Sequence, residues 1–210
     1  GCELGPRPID LHLASIRALG GTVDETGGAL RCTGNHMAGT DIVLSIPSVG
    51  ATENTMLAAV AAQGVTTITN AAREPEIVDL QAFLRAMGAD VRGAGSSMIT
   101  IRGGLPLHGA EHTVMGDRIV AATYLAAAAA AGGEIGGTGA GCRHLSTVTS
   151  VLSQAGCKVR SDDSRISLSC SGPLRGVSPV RTAPYPGFPT DAQAPLMAAL
   201  ATAAGTSVFV

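Results

Sequence analysis

Ile16-Arg17-Ala18-Leu19-Gly20-Gly21-Thr22-Val23 is the stretch on which the fold turns. Its pattern returns at Leu84-Arg85-Ala86-Met87-Gly88-Ala89-Asp90-Val91 and at Leu152-Ser153-Gln154-Ala155-Gly156-Cys157-Lys158-Val159. Gly20, Gly88 and Gly156 stand 68 residues apart. Each closes a run with helical spacing: Leu11 to Leu19, Ile77 to Met87, and Leu145 to Ala155. Glycine just past a helix is the favoured left-handed cap, because it has no Cβ to clash there. A valine, a turn and an alternating strand follow, clearest at Ser97 to Ile101 and Arg165 to Ser169.

A second element recurs between these blocks. The run Met56 to Gly64 matches Tyr124 to Gly132, again with 68 residues between the glycines. Met197 to Gly205 is a third copy. Short strands follow at Val65 to Thr69, at Glu134-Ile135 and at Ser207 to Val210. The Ala-rich runs are apolar nearly all round, which predicts buried helices. The periodicity therefore predicts an α/β chain of strand–helix–strand–strand–helix–strand units, each about 70 residues long. Helices should lie inside and sheets outside. An ordinary doubly wound sheet would need longer strands richer in Val and Ile. The chain opens without a leading strand and stops within an apolar one, so it reads as an internal piece of a longer protein.

Composition narrows the function. With 14% charged residues and a net charge of −2, nothing resembles a basic nucleic-acid footprint. Two Tyr, three Phe and no Trp offer no stacking platform for bases. The longest apolar stretch, Tyr124 to Ala131, is too short to span a bilayer. Five cysteines without a CxxC pair argue against structural zinc and suit a reducing cytoplasm. His108 and His112 have metal-ligand spacing, but no carboxylate completes a site. No metal or cofactor is expected.

Four segments depart from the repeat. In Gly1 to Leu11, Cys2 lies in a Gly-flanked loop and Arg7 sits between prolines before a helix, where an anion could be held. Pro8 is expected as the first helical residue, with Asp10 in the first turn. In Ile46 to Asn54, a Gly turn enters a helix; Ser48 or Thr52 could cap it or its N–H groups could meet an anion. In Asn70 to Asp79, Pro75 and Glu76 start a helix. In Arg181 to Ala194, three prolines in six residues deliver Thr190-Asp191 to a helix start, a place for a positioned acid or base.

Together, these segments resemble the UDP-N-acetylglucosamine 1-carboxyvinyltransferases (enolpyruvyl transferases) of bacterial peptidoglycan synthesis. The matching strings are Gly1-Cys2, Gly5, Arg7-Pro8-Ile9-Asp10-Leu11-His12, Pro47-Ser48-Val49-Gly50-Ala51-Thr52-Glu53-Asn54, Asn70 to Asp79, Asp117-Arg118-Ile119, and Thr182 to Asp191. The resemblance implies an inside-out α/β barrel of repeated βαβαββ units, with residues 1–115 in one incomplete domain and 116–210 in another.

It also implies transfer of the enolpyruvyl group of phosphoenolpyruvate to the 3-hydroxyl of UDP-N-acetylglucosamine in the cytoplasm. That is the first committed step toward the cell wall, on which cell shape and division depend. Asp191 would be the base and Cys2 the loop acid, the latter alkylated by the inhibitor fosfomycin. Arg7, Pro8, Ile9, Asp10, Leu11, Ser48, Val49 and Gly50 would bind substrate, with Glu74, Glu76, Asp117, Arg118 and Thr190 as further candidates. Ile46 and Pro195 depart from the family's pattern. The alternatives are a 3-phosphoshikimate 1-carboxyvinyltransferase and a non-catalytic UDP-sugar-binding paralogue. The piece alone is expected to be inactive.

Overall fold

The computed structural model describes residues 8–139, 141–162 and 164–210, so Cys2 and Arg7 lie outside the described residues. The chain divides into two compact units, one ending at Thr113 and the other starting at Val114.

The first unit runs α1 (Asp10–Ala18), β1 (Thr22–Asp24), β2 (Arg31–Thr33), β3 (Asp41–Val43), α2 (Val49–Ala61), β4 (Gly64–Thr69), α3 (Pro75–Ala86), β5 (Asp90–Arg92) and β6 (Met98–Gly103). β1 and β2 form a separate antiparallel hairpin. The other strands make one sheet in the order β3-β4-β6-β5, parallel between β3 and β4 and antiparallel elsewhere. Residues 41–103 thus hold one whole βαβαββ unit.

The strand order read from periodicity alone needs correction: one strand, not two, separates α2 from α3. Asn70, in the left-handed region at φ 59°, ends β4. The next amides then leave the ladder: Ala71 N–H donates to Ser97 O (3.0 Å) and Ala72 N–H to Thr52 Oγ1 (3.0 Å). Pro8 is also corrected, since it precedes α1 by two residues and Ile9 is the cap. The three glycines of the opening motif do adopt left-handed backbone, with φ of 90°, 99° and 105°.

The second unit runs α4 (Arg118–Ala131), β7 (Glu134–Thr138), a 3-10 turn (Cys142–His144), α5 (Ser146–Gln154), β8 (Lys158–Ser161), β9 (Arg165–Ser169), a second 3-10 turn (Thr190–Ala192) and α6 (Gln193–Leu200). Its sheet is antiparallel, in the order β7-β9-β8. The expected strand at 207–210 is reduced to bridges, Val180 to Phe209 and, before it, Arg175 to Ala204. Its partner run contains Pro179, which has no N–H to give a ladder. Pro195 falls in the first turn of α6, where proline costs no helical hydrogen bond.

Each of the two larger sheets has one covered face. β6 alternates exposed and buried along its length, and Ile99 and Ile101 are fully buried. The Ala-rich helices allow the layers to approach. A Cβ on Gly103 would lie 2.1 Å from Ala59 O of α2. The cores are separate: Met56, Ile68, Ile77 and Ile99 in the first unit; Leu125, Val148, Leu168 and Leu196 in the second. Among the described residues, no helix is long and apolar enough to cross a membrane.

Candidate functional site

In the first unit, three helices begin close together. α1 packs on α2 and α2 on α3. The His12 ring is so close to the start of α2 that a Cβ on Gly50 would stand 3.1 Å from its Nε2. His12 Nδ1 is buried without a hydrogen-bond partner among the described residues. Ser48 caps α2, accepting from Ala51 N–H (3.3 Å). Thr52, fully buried, donates to Ser48 O (2.7 Å) and accepts from Ala72 N–H. It therefore ties the α2 start to the loop that enters α3.

Asp10 is the exposed first residue of α1, and Pro8 and Ile9 are exposed just before it. Leu11 is half-buried against the core. Val49 and Gly50 open α2. Glu74 is buried immediately before α3, and Glu76 lies in its first turn. Glu53 faces this group. Burial, and then the nearby Glu76 charge, push its carboxyl above the usual range. The structure thus gathers Asp10, Ser48, Val49, Gly50, Glu74 and Glu76 at one end of the first unit.

The second unit repeats this arrangement with other chemistry. Asp117 caps α4 by accepting from Ile119 N–H (2.8 Å) and Val120 N–H (2.9 Å). Arg118, the first residue of α4, is only 7% exposed, and its guanidinium lies 5.8 Å from the Tyr185 ring centre. Tyr185 belongs to the proline-rich loop and follows that loop to Thr190 and Asp191, both exposed in the turn that packs on α4 and enters α6. His144, at the entrance of α5, meets the Tyr185 hydroxyl through Nδ1 at 2.9 Å. Asp117, Arg118, Thr190 and Asp191 are therefore gathered at one end of this unit.

Sequence reasoning passed over His12, Thr52, Glu53, His144 and Tyr185 as site residues. The histidines were judged by metal spacing, and neither has a second histidine four residues away. Their neighbours come from distant segments: His12 and Gly50 are 38 positions apart, His144 and Tyr185 41. The string Pro184-Tyr185-Pro186 was the one available signal for the second pair.

A family model described as EPSP synthase (3-phosphoshikimate 1-carboxyvinyltransferase) matches residues 1–209. The chain belongs to the EPSP synthase family. Within that family, it is 48% identical over 99% of its length to UDP-N-acetylglucosamine 1-carboxyvinyltransferase 2 of Caldanaerobacter subterraneus, covering 50% of that relative. It is 52% identical over its whole length to UDP-N-acetylglucosamine 1-carboxyvinyltransferase 1 of Symbiobacterium thermophilum, covering 47%. The chain thus spans about half the length of the curated relatives it matches. Among solved structures, the enolpyruvyl transferase NikO of Streptomyces tendae matches 97% of the chain with a TM-score of 0.80 at 23% identity; 52% of NikO is covered. EPSP synthase of Acinetobacter baumannii matches with a TM-score of 0.65 at 25% identity, over the whole chain and 49% of that enzyme.

Proposed function

We propose that the protein of which these residues form part transfers the enolpyruvyl group of phosphoenolpyruvate to the 3-hydroxyl of UDP-N-acetylglucosamine, in the cytoplasm. The observation that carries the proposal is the 48–52% identity, across the whole chain, to relatives bearing that enzyme's name. The EPSP synthase structure is 25% identical, so 3-phosphoshikimate is the second acceptor to test.

The chemistry has two halves. The sugar oxygen loses its proton and bonds to C2 of phosphoenolpyruvate, while C3 gains a proton. The C2–O bond to phosphate then breaks, C3 loses a proton and the double bond returns. The first half needs a base at the hydroxyl and an acid at C3; both need cations on the phosphate and carboxylate. Asp191 is the base in this reading. It is a solvent-facing carboxylate at the end of a stiff loop. Cys2 is the acid and the fosfomycin target, and Arg7 a phosphoenolpyruvate contact. The segments 8–11 and 48–50 bind the nucleotide sugar in this reading, and the His12 ring, which directly follows the first segment, lies close against Gly50 of the second.

The test uses the complete protein and follows phosphate release from phosphoenolpyruvate with UDP-N-acetylglucosamine or 3-phosphoshikimate as acceptor. Release with the nucleotide sugar alone is expected. Asp191→Asn should lower the rate about 100-fold or more, the contribution of a positioned base. An undiminished rate would remove Asp191 from that role, and release with 3-phosphoshikimate alone would replace the acceptor. Residues 1–210 by themselves are expected to give no turnover.

A further inference from the structure

The loop before Asp191 is closed on itself. Ala183 N–H donates to Phe188 O (3.0 Å) and Gly187 N–H to Pro184 O (2.8 Å). Phe188 is buried in the core, and a Cβ on Gly187 would stand 2.6 Å from that of Ala183. Tyr185 is therefore the tip of a stiff arm whose base continues through Pro189 into the Asp191 turn. From outside the loop, that tip is met by His144 on the 3-10 turn ahead of α5 and by Arg118 at the start of α4.

The His144 contact is directional. Arg143 Nε–H approaches His144 Nε2 at 3.2 Å, and a guanidinium can only donate. Nε2 is then the acceptor, and the imidazole proton sits on Nδ1, 2.9 Å from the Tyr185 hydroxyl oxygen. The rings also meet edge to face, with centres 5.8 Å apart. Gly141 makes room for this pose: its φ is 58°, and a Cβ there would stand 3.3 Å from His144 Cδ2.

We infer that His144 is a positioning residue: by donating its Nδ1 proton to Tyr185 it fixes the proline loop and, through the loop, the carboxylate of Asp191. The link to catalysis rests on the enolpyruvyl-transfer reading; the anchor itself does not. Small displacements of a reacting group cost rate steeply, about 100-fold for 1 Å. A loosened tip should therefore act on turnover and leave substrate affinity alone.

The experiment compares His144→Phe, Tyr185→Phe, the double variant and His144→Asn in the complete protein. Asparagine returns an N–H near the Nδ1 position. Each phenylalanine variant should lower kcat about 10-fold, within the range expected for a sub-ångström shift. KM for either substrate should change less than about twofold, as for a loss felt in the transition state alone. The double variant should be no slower than either single one, because both remove the same bond. His144→Asn should recover most of the rate. Amide hydrogen exchange across residues 183–191 should quicken in the phenylalanine variants and return in His144→Asn.

Unchanged exchange in His144→Phe, fully additive losses, or a His144→Asn no better than His144→Phe would overturn the inference. If the wild-type protein releases no phosphate while exchange still quickens, the functional reading fails and the anchor stands.

Discussion

The two units place three helix starts together in the same way and equip them differently. In the first, the starts of α1, α2 and α3 carry Asp10, Glu53, Glu74 and Glu76, and one of these carboxyls is held above its ordinary range. In the second, the starts of α4 and α5 and the approach to α6 carry Arg118, Arg143, His144 and Tyr185 beside Asp117 and Asp191. The shared part is the repeat's backbone; the differing part is what each copy hangs on it. The two copies thus differ in the side chains at their helix starts and not in the scaffold that carries them.

A shared backbone contact is the place to break the comparison hardest. Met37-Ala38-Gly39 and Leu174-Arg175-Gly176 are equivalent joints. Ala38 N–H donates to Leu19 O and Arg175 N–H to Ala155 O, both at 2.9 Å. Gly39 N–H then reaches Gln63 O (2.7 Å) and Gly176 N–H reaches Ala204 O (2.8 Å). A Cβ would stand 2.3 Å from Val65 O at Gly39 and 2.6 Å from Thr206 O at Gly176. Leu107-His108-Gly109 begins the same way, with His108 N–H on Met87 O (2.9 Å), but around Gly109 there is open space. Gly39→Ala and Gly176→Ala should each destabilise their unit by about 3 kcal/mol, the upper range for overpacking. Gly109→Ala should stay within about 0.5 kcal/mol. Urea unfolding midpoints of the complete protein test this; clearly unequal losses at Gly39 and Gly176 would end the equivalence, and equal losses at Gly39 and Gly109 would end the contrast.

Thr52 is the next point of difference. It joins the α2 start to the α3 loop, while Val120-Ala121-Ala122 occupy the corresponding turn of α4. Thr52→Val keeps the shape and leaves the Ala72 amide without its partner. The cost should be about 2 kcal/mol, the penalty of an unsatisfied buried donor. Slower amide exchange at Ala72 in the variant than in the wild type would contradict the bond.

The helix–Gly blocks were legible because a left-handed cap must be glycine and because the repeat imposes one spacing on every copy. The Ala-rich helices were legible for a related reason, since only small apolar residues let the sheet reach α2 at Gly103. The strand order between α2 and α3 was not. Val65 to Thr69 looks the same whether one strand or two follow, and the decision lies with long-range bonds from Ala71 and Ala72. The site divided along the same line. Ser48, Asp117 and Asp191 sit at helix starts that local signals announce. His12, Glu53 and His144 depend on partners brought from far along the chain, and no spacing rule encodes those.

The caps offer a finer comparison. Asp117 serves two α4 amides at 2.8 and 2.9 Å, and Ser48 one α2 amide at 3.3 Å. Asp117→Ala should cost about 1 kcal/mol and Ser48→Ala about 0.5 kcal/mol, within the usual range for N-caps. Thermal unfolding of the two variants side by side decides it, and the reverse order would mean that hydrogen-bond geometry does not rank these caps.

The smallest effect expected is electrostatic and belongs to the first unit alone. Burial and the Glu76 charge raise the Glu53 carboxyl in the folded chain above its ordinary 4.5. The folded state then binds this proton more tightly than the unfolded state. Stability from this group is present below pH 4.5 and is lost as pH rises through the raised folded value. Glu53→Gln removes the ionisation, so the variant should be slightly more stable than the wild type at neutral pH, with the advantage fading in acid. Solvent around the half-buried side chain keeps the gain small. Glu76→Gln should give part of the same gain, because the Glu76 charge is the lesser of the two causes. The comparison is made by unfolding midpoints from pH 4 to 8. A Glu53→Gln advantage that grows toward acid would reverse the assigned sign, and an equal gain from Glu76→Gln would make its charge, rather than burial, the leading cause.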